Sequence, residues 1–409
     1  MKLFFSILFL IIISNVEAAV KFEKIKSPSL AQLNAILTTE RDKFSPSNPN
    51  NYVLPEYSPA KNEVELYKVT YDSIVPELGD KPIKASGLVA IPKLRDLSSL
   101  SIFSYQHGTV FEKHEVPSYA FADAMNPVSY ETRLMVALFA AQGYILIAPD
   151  YFGMGDSNEP EAYTVKASEQ QACLDLYKAV TAFLKDKHIK SKYLFLGGWS
   201  QGGVVTTAFL EKLESLNIPV KAASTAAAPS DLFAAMNGWN YNPRKIDAPW
   251  ISTLVALTVF SYENYFSKPN LAKDVIKADY YEDMRKVYER DYSSQAEFSA
   301  ILSRISANDL KELFNDEYLD PSYFADSEYG KILSDMQVYR RLFKTPLKMF
   351  YGTEDEVVST EIGQIASVYQ ASMGNKSVTS EVVVAGDHHR TFLTAVSRQK
   401  DWFDKLKLH

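Results

Sequence analysis

Two hydrophobic patterns alternate along most of the chain. The runs at 102–105, 144–148 and 193–196 are short and continuously apolar, which is typical of strands buried on both faces of a parallel sheet. Between these runs, residues 132–142 and 165–187 place apolar side chains at helical spacing. This alternation of strand and helix predicts an α/β fold with a mostly parallel sheet covered by helices.

The same alternation continues towards the C-terminus and is interrupted once. Further strands are predicted over 64–71, 83–91, 220–228, 347–351 and 380–385, and further helices over 204–216, 361–373 and 391–406. The strands at 64–71 and 83–91 alternate apolar and polar residues, as antiparallel or edge strands do. Residues 230–344 show helix-like segments without a strong strand signal. We therefore predict a core at 61–229 and 345–409 with a helical insertion at 230–344.

The first sixty residues contain two segments that we place outside this core. A basic start, an apolar run over 3–13 and small residues ahead of position 19 form the pattern of a secretory signal peptide, 1–18, cut after Ala18. The run is shorter than the roughly 20 residues that span a bilayer. We expect a secreted or periplasmic protein with no stable membrane span. Residues 19–60 lack clear periodicity and predict an irregular extension with one short helix.

Composition narrows the partners. A net charge of -7 argues against nucleic acid, because phosphate binding needs a basic field. The single cysteine, Cys173, excludes an internal disulfide, and its helical spacing with apolar neighbours predicts that it is buried. No spacing of His, Cys, Asp and Glu matches a metal site, and Gly153 and Gly155 are too few for a dinucleotide loop. We expect no cofactor, and the oligomeric state is open.

A Gly-x-Ser-x-Gly pattern at residues 198–202 lies between a predicted strand and a predicted helix. A serine in this context sits on a sharp turn with its hydroxyl exposed, and the flanking glycines remove side chains that would collide there. The pattern predicts that Ser200 is a nucleophile. The alternative is a glycine-rich turn with a passive serine.

A serine nucleophile needs a base, and the base is in turn oriented by a carboxylate. If the order along the chain is serine, acid, histidine, three histidines remain, of which His409 is terminal. His388 follows the last predicted strand and is our choice, with His389 as a competitor. Asp355 follows the penultimate strand and is the predicted acid.

Two neighbouring carboxylates, Glu354 and Glu356, are interpreted as solvated loop charges. The developing oxyanion also needs donors. We predict that these are the backbone N–H of Gln201, which follows the serine, and the N–H of Thr109, which follows a buried strand. His107 in the same loop would then be structural.

Taken together, these motifs resemble those of the α/β-hydrolase superfamily and, within it, secreted esterases and lipases of the secretory-lipase type. The matching segments are Gln106-His107-Gly108-Thr109, the 149–157 loop with Pro149, Asp150, Tyr151, Gly153, Gly155 and Ser157, the 198–202 motif, Gly352-x-x-Asp355 and Asp387-His388. The resemblance runs from about residue 64 to the C-terminus, apart from the insertion. It implies an eight-stranded core sheet and a cap made by the insertion between strands six and seven.

The predicted function is hydrolysis of carboxylic esters through an acyl-enzyme on Ser200, acting on a small-molecule or lipid ester. The same residues would also serve an acyltransferase or a peptidase. A third alternative is a binding protein that keeps the fold without catalysis. The aromatic residues of the insertion fit either a cap that lines an acyl pocket or a packed helical subdomain.

Overall fold

The computed structural model describes residues 20–45, 52–122, 130–306 and 309–408. The predicted signal peptide at 1–18 lies outside these residues. The strands are β1 (Lys21–Ile25), β2 (Val64–Val75), β3 (Lys81–Pro92), β4 (Leu100–Gln106), β5 (Tyr144–Pro149), β6 (Ser191–Trp199), β7 (Ala222–Ala226), β8 (Leu347–Gly352) and β9 (Val378–Val383).

Helices cover the sheet between and after these strands. They are α1 (Leu30–Phe44), α2 (Tyr130–Leu138), α3 (Lys166–Asp186), α4 (Gln201–Ser215), α5 (Leu232–Tyr241), α6 (Ser252–Tyr265), α7 (Leu271–Val275), α8 (Ala278–Glu289), α9 (Gln295–Ile305), α10 (Pro321–Asp326), α11 (Glu328–Asp335), α12 (Thr360–Ser372) and α13 (His388–Lys407). None of the helices within the described ranges is long and apolar enough to cross a membrane.

The strands form one sheet in the order β1-β2-β3-β5-β4-β6-β7-β8-β9. The six strands from β5 to β9 in this order pair in parallel. β1, β2 and β3 are antiparallel to their neighbours. Strand β2 buries alternate residues, whereas β4 and β5 are buried throughout. The hydrophobic patterns therefore distinguished the antiparallel edge from the parallel centre.

The sheet has nine strands and not the expected eight, and the additional strand comes from the N-terminal extension. β1 pairs with β2 from Lys21 to Ile25, but its side chains are mostly exposed, so it carries no clear apolar alternation. The extension is also not irregular, because α1 spans 15 residues. Ser29 and Gln32 form a capping box at its start, a signal that the sequence contained.

Each face of the sheet is covered by its own set of helices. α1, α2 and α13 pack in one apolar cluster with alternate residues of the strands. α3, α4, α12 and the helices between β7 and β8 pack in the other. Cys173 lies buried in α3 and belongs to this second cluster, as predicted.

The described residues between β7 and β8 form helices α5 to α11 and add no strand to the sheet. α6 is buried almost all round, which is typical of a helix in the centre of a packed subdomain. Polar contacts also fasten it to the core. The Ser261 hydroxyl donates to the Glu161 carbonyl at 2.8 Å and accepts from the Tyr163 N–H at 3.0 Å.

Candidate active site

Ser200 occupies the turn between β6 and α4. Its φ of 53° and ψ of -127° are rarely adopted by a residue with a side chain. The turn is held by the Ser200 N–H, which donates to the Ala226 carbonyl at 2.9 Å. A Cβ on Gly198 would lie 2.3 Å from the Gly202 carbonyl, and one on Gly202 would lie 2.1 Å from the Gln106 carbonyl. The glycines are therefore required by close backbone approach, as the motif predicted.

The structure brings the three predicted catalytic side chains together. The His388 Nε2 lies 2.9 Å from the Ser200 Oγ. The Nδ1 of the same ring lies 3.0 and 3.1 Å from the two carboxylate oxygens of Asp355. All three residues follow the carboxyl ends of parallel strands, β6, β8 and β9, where functional groups of open α/β sheets collect.

The two adjacent histidines point in different directions. His388 is the first residue of α13 and faces Ser200. The helix predicted over 391–406 therefore begins three residues earlier, and His388 lies in its first turn and not ahead of it. The His389 Nδ1–H donates to the Phe44 carbonyl at 3.1 Å. The geometry therefore places His388, and not His389, against Ser200.

The pKa values of the histidines in the site are shifted in different directions. Burial tends to lower the pKa of His388, but the Asp355 carboxylate outweighs it and the pKa lies above its usual value. Burial lowers the pKa of His389 to about 4, helped by repulsion from His388. Burial likewise lowers the pKa of His107 to about 4. His388 is thus the histidine in this group that is poised to hold a proton.

Two backbone N–H groups hold the carboxylate of Asp355 in place. Its Oδ1 accepts the N–H groups of Val357 and Val358 at 2.9 and 2.8 Å, and the side chain is buried. Glu354 is exposed, as predicted. Glu356 differs from the prediction of a solvated charge, because it is partly buried and accepts the N–H of His388 at 3.0 Å.

The predicted oxyanion residues are Gln201, which follows the serine, and Thr109, which lines the same cavity as Ser200. Gln201 is the first residue of α4, so its N–H has no acceptor within the helix. Thr109 lines the cavity in front of Ser200, and its hydroxyl lies 2.7 Å from that of Tyr163.

Two glutamates that the sequence did not single out lie beside these residues, Glu131 partly buried and Glu169 buried. Glu131 accepts the Gly108 N–H at 3.0 Å and a short hydrogen bond from the Tyr105 hydroxyl. Glu169 accepts the side-chain amide of Gln201 at 2.9 Å and the Thr164 N–H at 3.0 Å. Burial raises the pKa of Glu131 to about 7 and that of Glu169 to about 8.

No motif marks these two residues in the sequence. Glu131 lies in the first turn of α2 and Glu169 in the first turn of α3, where acidic residues are common because they stabilise the N-terminus of a helix. The hydrogen bonds of the two glutamates to Gly108 and Gln201 are seen only once these helices pack against the 107–109 loop and the start of α4.

A cavity of about 340 Å³ opens in front of Ser200. Its wall combines the loop after β4, the start of α2, the end of α1 and two parts of the insertion. The lining side chains are Phe44, His107, Thr109, Val110, Phe111, Glu115, Tyr130, Glu131, Thr132, Trp199, Ser200, Trp250, Thr253, Phe298, Leu302, Glu356, His388 and His389. The insertion thus supplies part of the wall through Trp250, Thr253, Phe298 and Leu302. Most of its other aromatic residues pack in the apolar cluster that it shares with one face of the sheet.

Metal ligands are not grouped in the part of the chain that the structure describes. No three His, Cys, Asp or Glu side chains within those ranges lie close enough together to hold an ion.

The chain belongs to the alpha/beta hydrolase family, whose model matches residues 107–403. No curated protein matches it in a sequence comparison. Among solved structures, a protein from Legionella pneumophila described as a hydrolase is similar at 22% identity and a TM-score of 0.80, covering 96% of this chain and 98% of that one.

Two further solved structures are an esterase and a lipase. The rice cell wall degrading esterase LipA from Xanthomonas oryzae is 18% identical, with a TM-score of 0.76 and coverage of 94% of this chain and 98% of its own. Candida antarctica lipase A is 15% identical, with a TM-score of 0.65 and coverage of 90% and 76%. At these identities the likeness shows the shared fold.

Proposed function

We propose that this chain hydrolyses carboxylic esters through an acyl-enzyme on Ser200. One observation carries the proposal, namely that a single imidazole joins the hydroxyl of Ser200 at 2.9 Å to the carboxylate of Asp355 at 3.0 Å. A hydroxyl at a strained turn, a base within hydrogen-bonding distance and a buried acid behind the base are the parts that acyl transfer requires.

In the first step, the Ser200 Oγ attacks the ester carbonyl carbon while His388 Nε2 takes the hydroxyl proton. The carbonyl π electrons move onto the oxygen, and the N–H groups of Gln201 and Thr109 donate to that oxyanion. Asp355 stabilises the imidazolium through Nδ1–H. The intermediate collapses by breaking the bond to the alkoxy group, and His388 returns the proton to the leaving alcohol.

In the second step, water replaces the alcohol. His388 Nε2 accepts a proton from water while the water oxygen attacks the acyl carbon of the Ser200 ester. Collapse of the second intermediate releases the carboxylic acid, and His388 gives the proton back to the Ser200 Oγ. The residues named here perform both halves with no redox change.

Replacement of the nucleophile tests the proposal. Ser200→Ala is expected to lower hydrolysis of p-nitrophenyl butyrate by a factor on the order of 10⁴ or more, with the circular dichroism spectrum unchanged. Ser215→Ala is the matched control, because this serine lies at the end of the same helix with its hydroxyl bonded to the Lys212 carbonyl. Activity of Ser200→Ala equal to that of the control would contradict the proposal.

A second assay separates ester hydrolysis from acyl transfer and from peptide cleavage. With an excess of a primary alcohol, a hydrolase releases mainly free acid and an acyltransferase releases mainly the new ester. A peptide amide carrying the same acyl group tests peptidase activity. The proposal expects free acid as the main product and slower cleavage of the amide than of the ester.

A further inference from the structure

The wall of the cavity in front of Ser200 is acidic and aromatic. Six aromatic side chains line it, from Phe44, Phe111, Tyr130, Trp199, Trp250 and Phe298. Three carboxyl groups line it as well, from Glu115, Glu131 and Glu356, whereas none of the described residues in the wall is a lysine or an arginine. The wall therefore contains acidic side chains without a cationic partner of its own, other than a protonated histidine.

The hydrogen bonds to these carboxyl groups do not come from cationic side chains. The Phe111 N–H donates to Glu115 at 3.2 Å, the Gly108 N–H donates to Glu131 at 3.0 Å and the His388 N–H donates to Glu356 at 3.0 Å. The Tyr105 hydroxyl also donates to Glu131. Such neutral donors offset only part of the cost of removing a carboxylate from water. A ligand with the opposite charge would offset more of it.

Glu115 and Glu131 also repel one another. Burial raises the pKa of Glu115 to about 7, and the charges of Glu131 and Glu112 add to this effect. His107 and His389 share the cavity, and burial keeps both neutral, with each pKa at about 4. Neither of these two histidines therefore supplies positive charge to Glu115 or Glu131. The charge of His388 does act on Glu131 and lowers its pKa, but burial outweighs this effect.

We propose that this cavity selects esters that carry a fixed positive charge, such as a quaternary ammonium group, held between Glu115 and the aromatic side chains. Aromatic faces and carboxylates attract such a group together, and the same carboxylates disfavour an anionic substrate. The proposal rests on the proposed ester hydrolysis and specifies its substrate class. Glu131 is bound to the Gly108 loop as well, so Glu115 is the residue that reports on selection most directly.

A pair of ligands that differ only in charge tests the selection without any reaction. Choline and 3,3-dimethyl-1-butanol have nearly the same shape, with a positive nitrogen in one and a neutral carbon in the other. Their binding to Ser200→Ala is followed by tryptophan fluorescence, because Trp199 and Trp250 line the cavity. We expect choline to bind at least about fivefold more tightly. Equal binding, or tighter binding of the neutral alcohol, would overturn the proposal.

A kinetic comparison then places the selection at Glu115. In the wild type, kcat/KM for butyrylcholine should exceed that for 3,3-dimethylbutyl butyrate by about tenfold. Glu115→Gln should bring this ratio close to one, whereas Glu289→Gln, whose side chain lines a different cavity, should leave the ratio unchanged. A ratio that both variants preserve would contradict the role of Glu115, and the wild-type ratio stands as a test even if Glu115→Gln does not fold.

The two proposals fail in different ways. If neither ester is hydrolysed but choline still binds preferentially to the cavity, the proposed hydrolysis is wrong and the charge selection stands. If both esters are hydrolysed at the same rate and the two ligands bind equally, the hydrolysis stands and the charge selection is wrong.

Discussion

The sheet core and the helical insertion contribute to the same cavity in different ways. The core supplies Ser200, Asp355 and His388 from the ends of three strands, and their positions follow from backbone geometry. The insertion supplies Trp250, Thr253, Phe298 and Leu302 as surfaces of packed helices. The position of a core residue in the site is determined by the strand and turn that carry it. The position of an insertion residue is determined by how its helix packs against other helices.

The two regions should therefore affect different properties: the core the rate of the reaction, and the insertion the preference among esters. Under the proposed mechanism every ester uses the same three groups, so changes to them in the core should affect the rate for every ester. Changes in the insertion should alter which ester is preferred, because its residues line the cavity and supply no group to the proposed chemistry. The predictions that follow compare the two regions, beginning with the largest expected effect.

His388→Ala removes the base from the core and should lower kcat/KM for p-nitrophenyl butyrate by a factor on the order of 10³ to 10⁵. His389→Ala is the neighbouring control, and a loss of less than about tenfold is expected because His389 contacts Phe44 and not Ser200. Steady-state kinetics of both variants measure the difference. A larger loss in His389→Ala would reverse the assignment of the base.

A glycine of each region tests how tightly the backbone is packed. Gly202→Ala places a methyl group 2.1 Å from the Gln106 carbonyl and 2.5 Å from the His107 carbonyl. It should destabilise the fold by about 3 kcal/mol or abolish folding. Gly238→Ala in α5 meets nothing within 4 Å and should stabilise the helix by about 0.5–1 kcal/mol.

Chemical unfolding of the two variants gives these free energies. If Gly202→Ala is as stable as the wild type, the close approach of α4 to the loop after β4 is not present in solution. If Gly238→Ala loses stability, the insertion helix is packed more tightly at this position than the structure describes.

The pH dependence of the core follows from His388. Because the base must be neutral to take the serine proton, kcat/KM should fall as pH decreases through the pKa of His388, which Asp355 keeps above the usual 6.5. Asp355→Asn removes that carboxylate while burial remains, so the acidic limb should move to lower pH in the residual activity. Glu115→Gln is the control for the nearby carboxyl groups, and its limb should stay in place. A limb that Asp355→Asn leaves unchanged would show that His388 does not determine it.

The smallest expected effect belongs to the insertion. Phe298→Ala enlarges the cavity from α9, and the preference between butyrate and octanoate p-nitrophenyl esters should move towards octanoate by about tenfold or less. Tyr323→Ala on the exposed side of α10 is the control. If Phe298→Ala instead lowers the rates for both esters equally, the insertion contributes to the chemistry itself.

The sequence predicted the site residues of the core more completely than those of the insertion. The reason is again that the core residues are positioned by backbone geometry and the insertion residues by packing. Ser200 is recognisable because its turn requires glycines at 198 and 202, and Asp355 and His388 are recognisable because they follow strands. Such backbone requirements leave a local trace in the residue types. The residue types do not distinguish His388 from His389 as the base, because that depends on which way the first turn of α13 faces.

No sequence pattern marked the residues whose role depends on contacts between distant parts of the chain. Glu131 and Glu169 are ordinary glutamates at helix starts until α2 and α3 dock against the site. β1 was missed because its exposed side chains show no alternation, although pairing with β2 holds it in the sheet. Likewise, helix periodicity located the segments of the insertion but not which of their side chains face the cavity.

The central claim is that Ser200 carries the acyl group, and mass mapping of a trapped intermediate tests it most directly. The wild type is mixed with p-nitrophenyl butyrate, quenched in acid within the first turnover and digested. The account predicts one butyryl adduct on the peptide that contains Ser200, and none in Ser200→Ala. A butyryl adduct on a different residue, with Ser200 unmodified while p-nitrophenol is released, would contradict it.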